Sequence, residues 1–435
     1  MKNQFFNSFK NIVNIKRFNK NFLSLSFNLF SKIIVHIAYI PLMFLSWGVT
    51  LTGVWFFLQS IPGILSIINF DPVNYTRQKL ISSKLKNYSK IYSNSFLIIF
   101  INIIFLLAPY LIILLFLEKF EVLNSIKTNY YLIIIFMYIS NIFEILTNYN
   151  FLKKEINGEI HLRNNLQSIF YIFSRSSFIL VGFYSNELIY LSIIVLVLSI
   201  FKYNLVFFLN KKISNIKFNT NLIEKKTLLG QFRESIQYLL YNSQFLIDIY
   251  TINFFLGFFF TGDKIAMINS LIILFKLLPN QINNIFISTL KIEYAKLFSK
   301  NKFKKIFELE KIYDLIFIIF SILALTFTFF YGKYIFNLWT NNNFLGYEIL
   351  MYLILISGIL DVFSYNKISV YAATIKFNNE PLKLLSISIF FLIIIFYLLN
   401  LNPNLNVFFL IILLKSITVF FNSYLYSLKL RKKLI

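Results

Sequence analysis

Six side chains stand where ionised groups are least at home, inside long apolar runs: Lys32, Arg175, Lys276 and Lys415, with Asp248 and Asp361. A charge at the depth of bilayer hydrocarbon is costly unless it meets a partner or a water-filled cavity. Four central cations against two anions predict a cavity of positive potential, which attracts anions. Arg175 is the strongest binding candidate. A guanidinium stays charged when buried and grips phosphate oxygens two at a time. Each lysine either touches the same ligand or is neutralised in a salt bridge, and Lys276 with Asp248 is a natural pair across neighbouring spans. The two aspartates balance these lysines, or carry a proton or a sodium ion. Glu144, Lys202, Lys333 and Lys367 lie nearer span ends, where snorkelling to the interface accounts for them.

These charges belong to polar stripes at helical spacing. The first span carries Ser24, Asn28, Lys32 and His36, and the fifth Gln167, Tyr171 and Arg175. The seventh carries Gln237, Tyr241, Gln244 and Asp248, and the eighth Asn269, Lys276, Asn280 and Asn283. The twelfth carries Lys415, Thr418, Asn422 and Tyr426. Polar faces on five helices are best explained by one shared, water-filled cavity.

The elements that position them are membrane helices. Of 435 residues 58% are hydrophobic and only 14% charged, too few to cover a soluble surface. Apolar runs of about 20 residues match the thickness of bilayer hydrocarbon. Twelve spans follow: Phe22–Phe44, Val54–Phe70, Ser95–Leu117, Tyr130–Tyr149, Gln167–Ser185, Glu187–Phe208, Ser235–Phe259, Ile265–Leu290, Tyr313–Leu338, Tyr347–Ser369, Leu384–Leu401 and Leu405–Leu428. Pro62-Gly63 is expected to kink or unwind the second span, and Gly332 to make the end of the ninth irregular. Pro41, Pro109 and Pro279 are further candidate kinks.

Most of the 42 Lys and Arg fall in alternate loops and at both termini, and the opposite loops hold only Lys119, Lys127 and Lys264. The positive-inside rule then accounts for the net charge of +24 without nucleic acid, and places both termini in the cytoplasm. The polar stretch 210–234 divides the chain into an N-lobe, 22–209, and a C-lobe, 235–428, between cytoplasmic tails 1–21 and 429–435. The fold class is an all-α membrane protein, two six-helix lobes around a central cavity.

Enzymatic signatures are lacking. There is no phosphate-binding loop and no nucleophile elbow. With no cysteine, and with His36 and His161 far apart, neither a thiolate nor a metal site is expected. Glu308 and Glu310 read as a solvated face in a basic loop. No catalytic residue, resident metal or other cofactor is expected, apart from H+ or Na+ coupling.

The second span reads Gly53-Val-Trp-Phe-Phe-Leu-Gln-Ser-Ile-Pro-Gly-Ile-Leu-Ser-Ile-Ile-Asn-Phe70. It resembles the second helix of O-antigen and capsule repeat-unit flippases (Wzx type) of the multidrug/oligosaccharidyl-lipid/polysaccharide (MOP) exporter superfamily. Phe245-Leu-Ile-Asp-Ile-Tyr through Gly257, then Ile265–Pro279 and Tyr294-Ala-Lys, is similar to that family's seventh and eighth helices. Gly332 through Leu338-Trp339 resembles the end of its ninth. Asp71-Pro72 departs from the glycine that often follows the second helix. The resemblance implies a MATE-like cavity opening alternately to each side of a bacterial inner membrane. It implies as substrate an undecaprenyl-diphosphate-linked oligosaccharide, with membrane lipids and polysaccharide polymerase machinery as partners. Alternatives are a drug or cation exporter of the same superfamily and a membrane polysaccharide polymerase or ligase.

Overall fold

The computed structural model describes residues 16–68, 88–124, 129–156, 159–210, 218–233 except 226, 252–277, 302–341, 347–374 and 380–434. It also describes isolated positions 73, 76, 77, 80, 235, 236, 279, 280, 283, 290, 294, 297 and 298. Among the described residues there is no strand. Hydrocarbon offers backbone N–H and C=O groups no partners, so each spanning segment must satisfy them within its own helix. The helices are α1 (Lys16–Ile68), α2 (Tyr88–Phe116), the short α3 (Glu121–Asn124), α4 (Tyr130–Ile156), α5 (Ile160–Tyr184) and α6 (Ile189–Asn210). They continue with the short α7 (Ile252–Leu256), α8 (Gly262–Ile272), α9 (Phe303–Trp339), α10 (Glu348–Thr374), α11 (Glu380–Leu401) and α12 (Leu405–Leu434).

The chain is a multi-pass membrane protein. Among the described residues nine helices are long and apolar enough to cross a bilayer. The apolar part of α1, Leu23–Ile64, has 42 residues, about two crossings' worth. It breaks at Gly48, whose φ of 75° and ψ of 165° are open to glycine and strained for other residues. The first two expected spans are thus its two arms. The second arm stays helical through Pro62-Gly63 to Ile68, so the expected unwinding does not occur. Likewise α9 runs through Gly332 to Trp339.

Packing divides the chain into two compact units. The first comprises Met1–Val35, Ile61–Leu117 and Ile126–Leu239; the second, His36–Ser60, Glu118–Ser125 and Leu240–Ile435. In the first, α4 lies along α6, with α2 against α4 and α5 against α6. In the second, α10 lies along α12 and touches α9 and the segment after α8. Large apolar side chains such as Leu115, Phe173, Leu323 and Phe330 point outward, as a hydrocarbon solvent requires. Serines and threonines inside the helices mostly turn their hydroxyls onto the preceding turn, as Thr147 does on Phe143 O and Ser270 on Ala266 O.

Candidate functional site

In the first unit the polar stripe of α1 faces α5. The Asn28 amide donates to Asn164 O and to Ser168 Oγ, both at 2.9 Å, and the Asn164 amide donates to Ser24 Oγ at 3.3 Å. Residues four apart on α1 thus meet residues four apart on α5, Asn164 and Ser168, which were not among the polar residues expected there, Gln167, Tyr171 and Arg175. Lys32 stands one turn beyond Asn28, in the like-charge field of Arg163 and Lys202. Arg163, in the first turn of α5, binds Glu155 Oε1 at 2.7 Å and Asn148 Oδ1 at 3.4 Å. Arg77 grips the other oxygen of the same carboxylate. Glu155 is almost wholly buried, and Arg163 keeps a buried Nε without a hydrogen-bond partner. Lys202 Nζ binds Glu144 Oε1 at 2.6 Å. This corrects the snorkelling expectation: Lys202 is buried on α6 and paired across to α4.

Lys32, Arg77, Arg163 and Lys202 are thus gathered around the carboxylates of Glu144 and Glu155. Such a surplus suits an anionic ligand. The sequence reading missed Arg77, Arg163 and Glu155 because they lie beyond the apolar windows. The signal lay in the charges flanking each end of the loop between α4 and α5. Arg175 lies farther along α5, half-buried, with its guanidinium carbon 5.3 Å from the Tyr171 ring centre and 5.6 Å from that of Phe178. These are cation–π distances, and the rings hold the guanidinium beside their faces.

In the second unit Lys276 binds Asp361 Oδ2 at 2.7 Å. The expected partner, Asp248, lies outside the described residues; Asp361 of α10 supplies the carboxylate instead. The backbone prepares this contact. Ile273–Leu277 winds as a π-helix, a form common at functional sites because it re-aims one side chain. Across from it, a Cβ on Gly358 would sit 3.2 Å from Lys276 Cα, so glycine lets α10 approach closely. Asn269, two turns earlier, exchanges reciprocal amide hydrogen bonds with Asn253 at 2.7 and 3.1 Å. Lys415 is buried on α12, while Thr418 and Asn422 bond to carbonyls of their own helix.

A second network was not foreseen. Lys367 binds Glu310 Oε1 at 2.7 Å and also Asp314. Asn366 donates to Asp314 Oδ1 at 2.8 Å, and Ser427 to Glu310 Oε1 at 3.0 Å. Glu310 is therefore buried rather than part of a solvated face, and Lys367 does not snorkel. Glu308, on the other side of α9, is exposed as expected. The spacing of Glu310 and Asp314, four residues apart on one helix, was the available signal.

No protein-family model matches the chain, and no curated protein matches it. Solved structures do. The lipid II flippase MurJ in an inward closed conformation superposes with a TM-score of 0.65 at 15% identity, over 94% of this chain and 87% of that one. The Vibrio cholerae MATE transporter VcmN in the bent form gives 0.61 at 13% identity, over 96% and 97%. An inward-facing multidrug resistance MATE family transporter of the MOP superfamily gives 0.61 at 9% identity, over 94% and 95%. Identities this low speak for architecture alone, and the chain has, over nearly its full length, the fold that MurJ and the MATE transporters share.

Proposed function

We propose that the protein is a flippase that moves an undecaprenyl-diphosphate-linked oligosaccharide from the cytoplasmic to the periplasmic leaflet of a bacterial inner membrane by alternating access. The observation that carries this reading is the excess of cations at Lys32, Arg77, Arg163 and Lys202, on a fold shared with a lipid flippase. A diphosphate is the part of such a substrate that most needs positive charge, and Arg163 and Arg175 offer it planar donors. In the second unit Lys415 and Lys276, the latter paired with Asp361, are further candidate cations for the substrate. Twelve spans, two lobes at 22–209 and 235–428, and cytoplasmic termini complete the proposal. Coupling to H+ or Na+ through Asp248 or Asp361 and handover to polysaccharide polymerase machinery belong to it too.

The test is to delete the gene and measure lipid-linked oligosaccharide on each face of the membrane. Complete units trapped on the cytoplasmic face are expected, with rescue by the wild-type chain. Lys32→Met, at unchanged protein level, should rescue about 10- to 100-fold less well, the value of one charge-assisted contact. Normal units on the outer face of the deletion strain would overturn the reading. A changed drug-resistance profile in that strain would favour a drug or cation exporter, the rival supported by the MATE likenesses.

A further inference from the structure

Lys367 answers two carboxylates with one charge. Glu310 and Asp314, about one turn apart on α9, both reach its ammonium, Glu310 through Oε1 at 2.7 Å. The other donors are neutral. Ser427 of α12 gives its hydroxyl to Glu310 Oε1 at 3.0 Å, and Asn366 of α10 gives its amide to Asp314 Oδ1 at 2.8 Å. Arg431 of α12 holds its guanidinium carbon 5.8 Å from the ring centre of Phe307 and, among the described residues, pairs with neither carboxylate. The cluster therefore carries one negative charge in excess. Glu310 and Lys367 are buried and Asp314 is half-buried, a setting in which an unanswered charge is costly.

Two wholly buried side chains bring unfilled oxygens to this place. The Tyr294 hydroxyl has no hydrogen-bond partner among the described residues. Its ring packs with Ile306, Ile368 and Leu430. These come from α9, α10 and α12, and each stands within about one turn of Glu310, Lys367 or Ser427. The hydroxyl thus reaches the same three-helix junction and lies in the field of both Glu310 and Asp314. Asn366 has its amide nitrogen on Asp314, and its buried Oδ1 has no partner among the described residues. Buried polar atoms are normally satisfied, so two orphans beside a missing positive charge call for a ligand.

Charge and donor chemistry define that ligand. An anion would meet two carboxylates, and a divalent cation would leave the cluster positive. Carboxylate, carboxamide and phenol oxygens are hard donors, suited to an alkali cation rather than a soft metal. A proton would serve one carboxylate and one acceptor and leave the second orphan as it was. We propose that Glu310, Asp314, Asn366 and Tyr294 bind a sodium ion, which fastens α9, α10 and α12 together beside Lys367. The site lies wholly within the second unit. It is separate from ion coupling at Asp248 or Asp361 and does not rest on the transport reading.

The full chain is purified in detergent and its thermal unfolding followed by tryptophan fluorescence, with sodium exchanged for choline at constant ionic strength. Sodium should raise the midpoint by about 3 °C or more. Glu310→Gln keeps the shape of the side chain but removes the surplus charge, and should abolish most of that rise. No rise in the wild type, or an equal rise in Glu310→Gln, would overturn the site. So would stabilisation of the wild type by acid with no response to sodium, which would put a proton in its place. Should Glu310→Gln fail to accumulate, Tyr294→Phe, which removes only the orphan hydroxyl, replaces it. The sodium concentration giving half the rise should then increase about tenfold, and an unchanged value would overturn the proposal. Unfolding reads no transport, so the sodium site can fail while the flippase reading stands, and the reverse.

Discussion

Lys276 and Asp361 make the sharpest energetic prediction. Their charged atoms lie 2.7 Å apart, with side chains 6% and 13% exposed. At an effective dielectric constant of about 20 the Coulomb attraction is about 6 kcal/mol. Desolvating the two ions costs several kcal/mol apiece, so the pair as a whole contributes little net stability. Losing one partner is different, because the other charge stays buried and unanswered. Asp361→Leu or Lys276→Met alone should cost about 3–5 kcal/mol, whereas the double variant K276M/D361L should come within about 1 kcal/mol of wild type. The assay is a double-mutant cycle on unfolding in detergent, followed by the fluorescence of Trp47, Trp55 and Trp339. A coupling of about 3 kcal/mol or more is expected. Additive single effects would refute the pairing, and with it the assignment of Asp361 rather than Asp248 as partner. Since Asp361 already answers its charge, Lys276 should matter less to transport than Lys32: the stable double variant should keep flipping within about tenfold of wild type, measured as lipid-linked oligosaccharide on the outer face, if ion coupling runs through Asp248; a larger loss would assign the coupling to Asp361.

Two further substitutions probe the frame. Glu155→Gln removes the charge that Arg77 and Arg163 share, leaving two guanidinium groups facing each other; a loss of about 2–4 kcal/mol is expected by the same melting assay, and a loss below about 1 kcal/mol would refute the shared bridge. Gly48→Ala meets no atom within 4 Å, so its cost is that of the backbone conformation alone, about 1–3 kcal/mol; an unchanged melting temperature would refute the break at this position.

Helical spacing made faces legible but left partners open. Ser24 and Asn28 were read as one polar face, and they do meet Asn164 and Ser168. The depth argument singled out Lys276 and Asp361 as buried charges, yet chose Asp248 as the lysine's partner. Sequence proximity favours the adjoining span, whereas the π-helical turn at Ile273–Leu277 and the bare backbone at Gly358 bring α10 in. Neither feature has an apolar period to read. Glu310 was misjudged for another reason. Apolar windows end at the first cluster of charges, but α9 begins at Phe303, and Lys367 with Ser427 gives the carboxylate a buried partner shell. Pro62 kept its helix because a membrane segment has no solvent alternative for freed carbonyls.

The charge arithmetic of each unit then bears on where an anion would go. In the second unit the ammonium of Lys276 has Asp361, and that of Lys367 has both Glu310 and Asp314. An incoming phosphate would have to compete with carboxylates already in contact, and each exchange would strand a buried negative charge. In the first unit Glu155 is divided between two arginines, and Lys202 holds Glu144, while Lys32 feels Arg163 and Lys202 as like charges. An anion beside Lys32 would relieve that repulsion. On the proposed transport reading, an anion is therefore expected to favour the cations on α1, α4, α5 and α6 of the first unit over the paired Lys276 and Lys367 of the second.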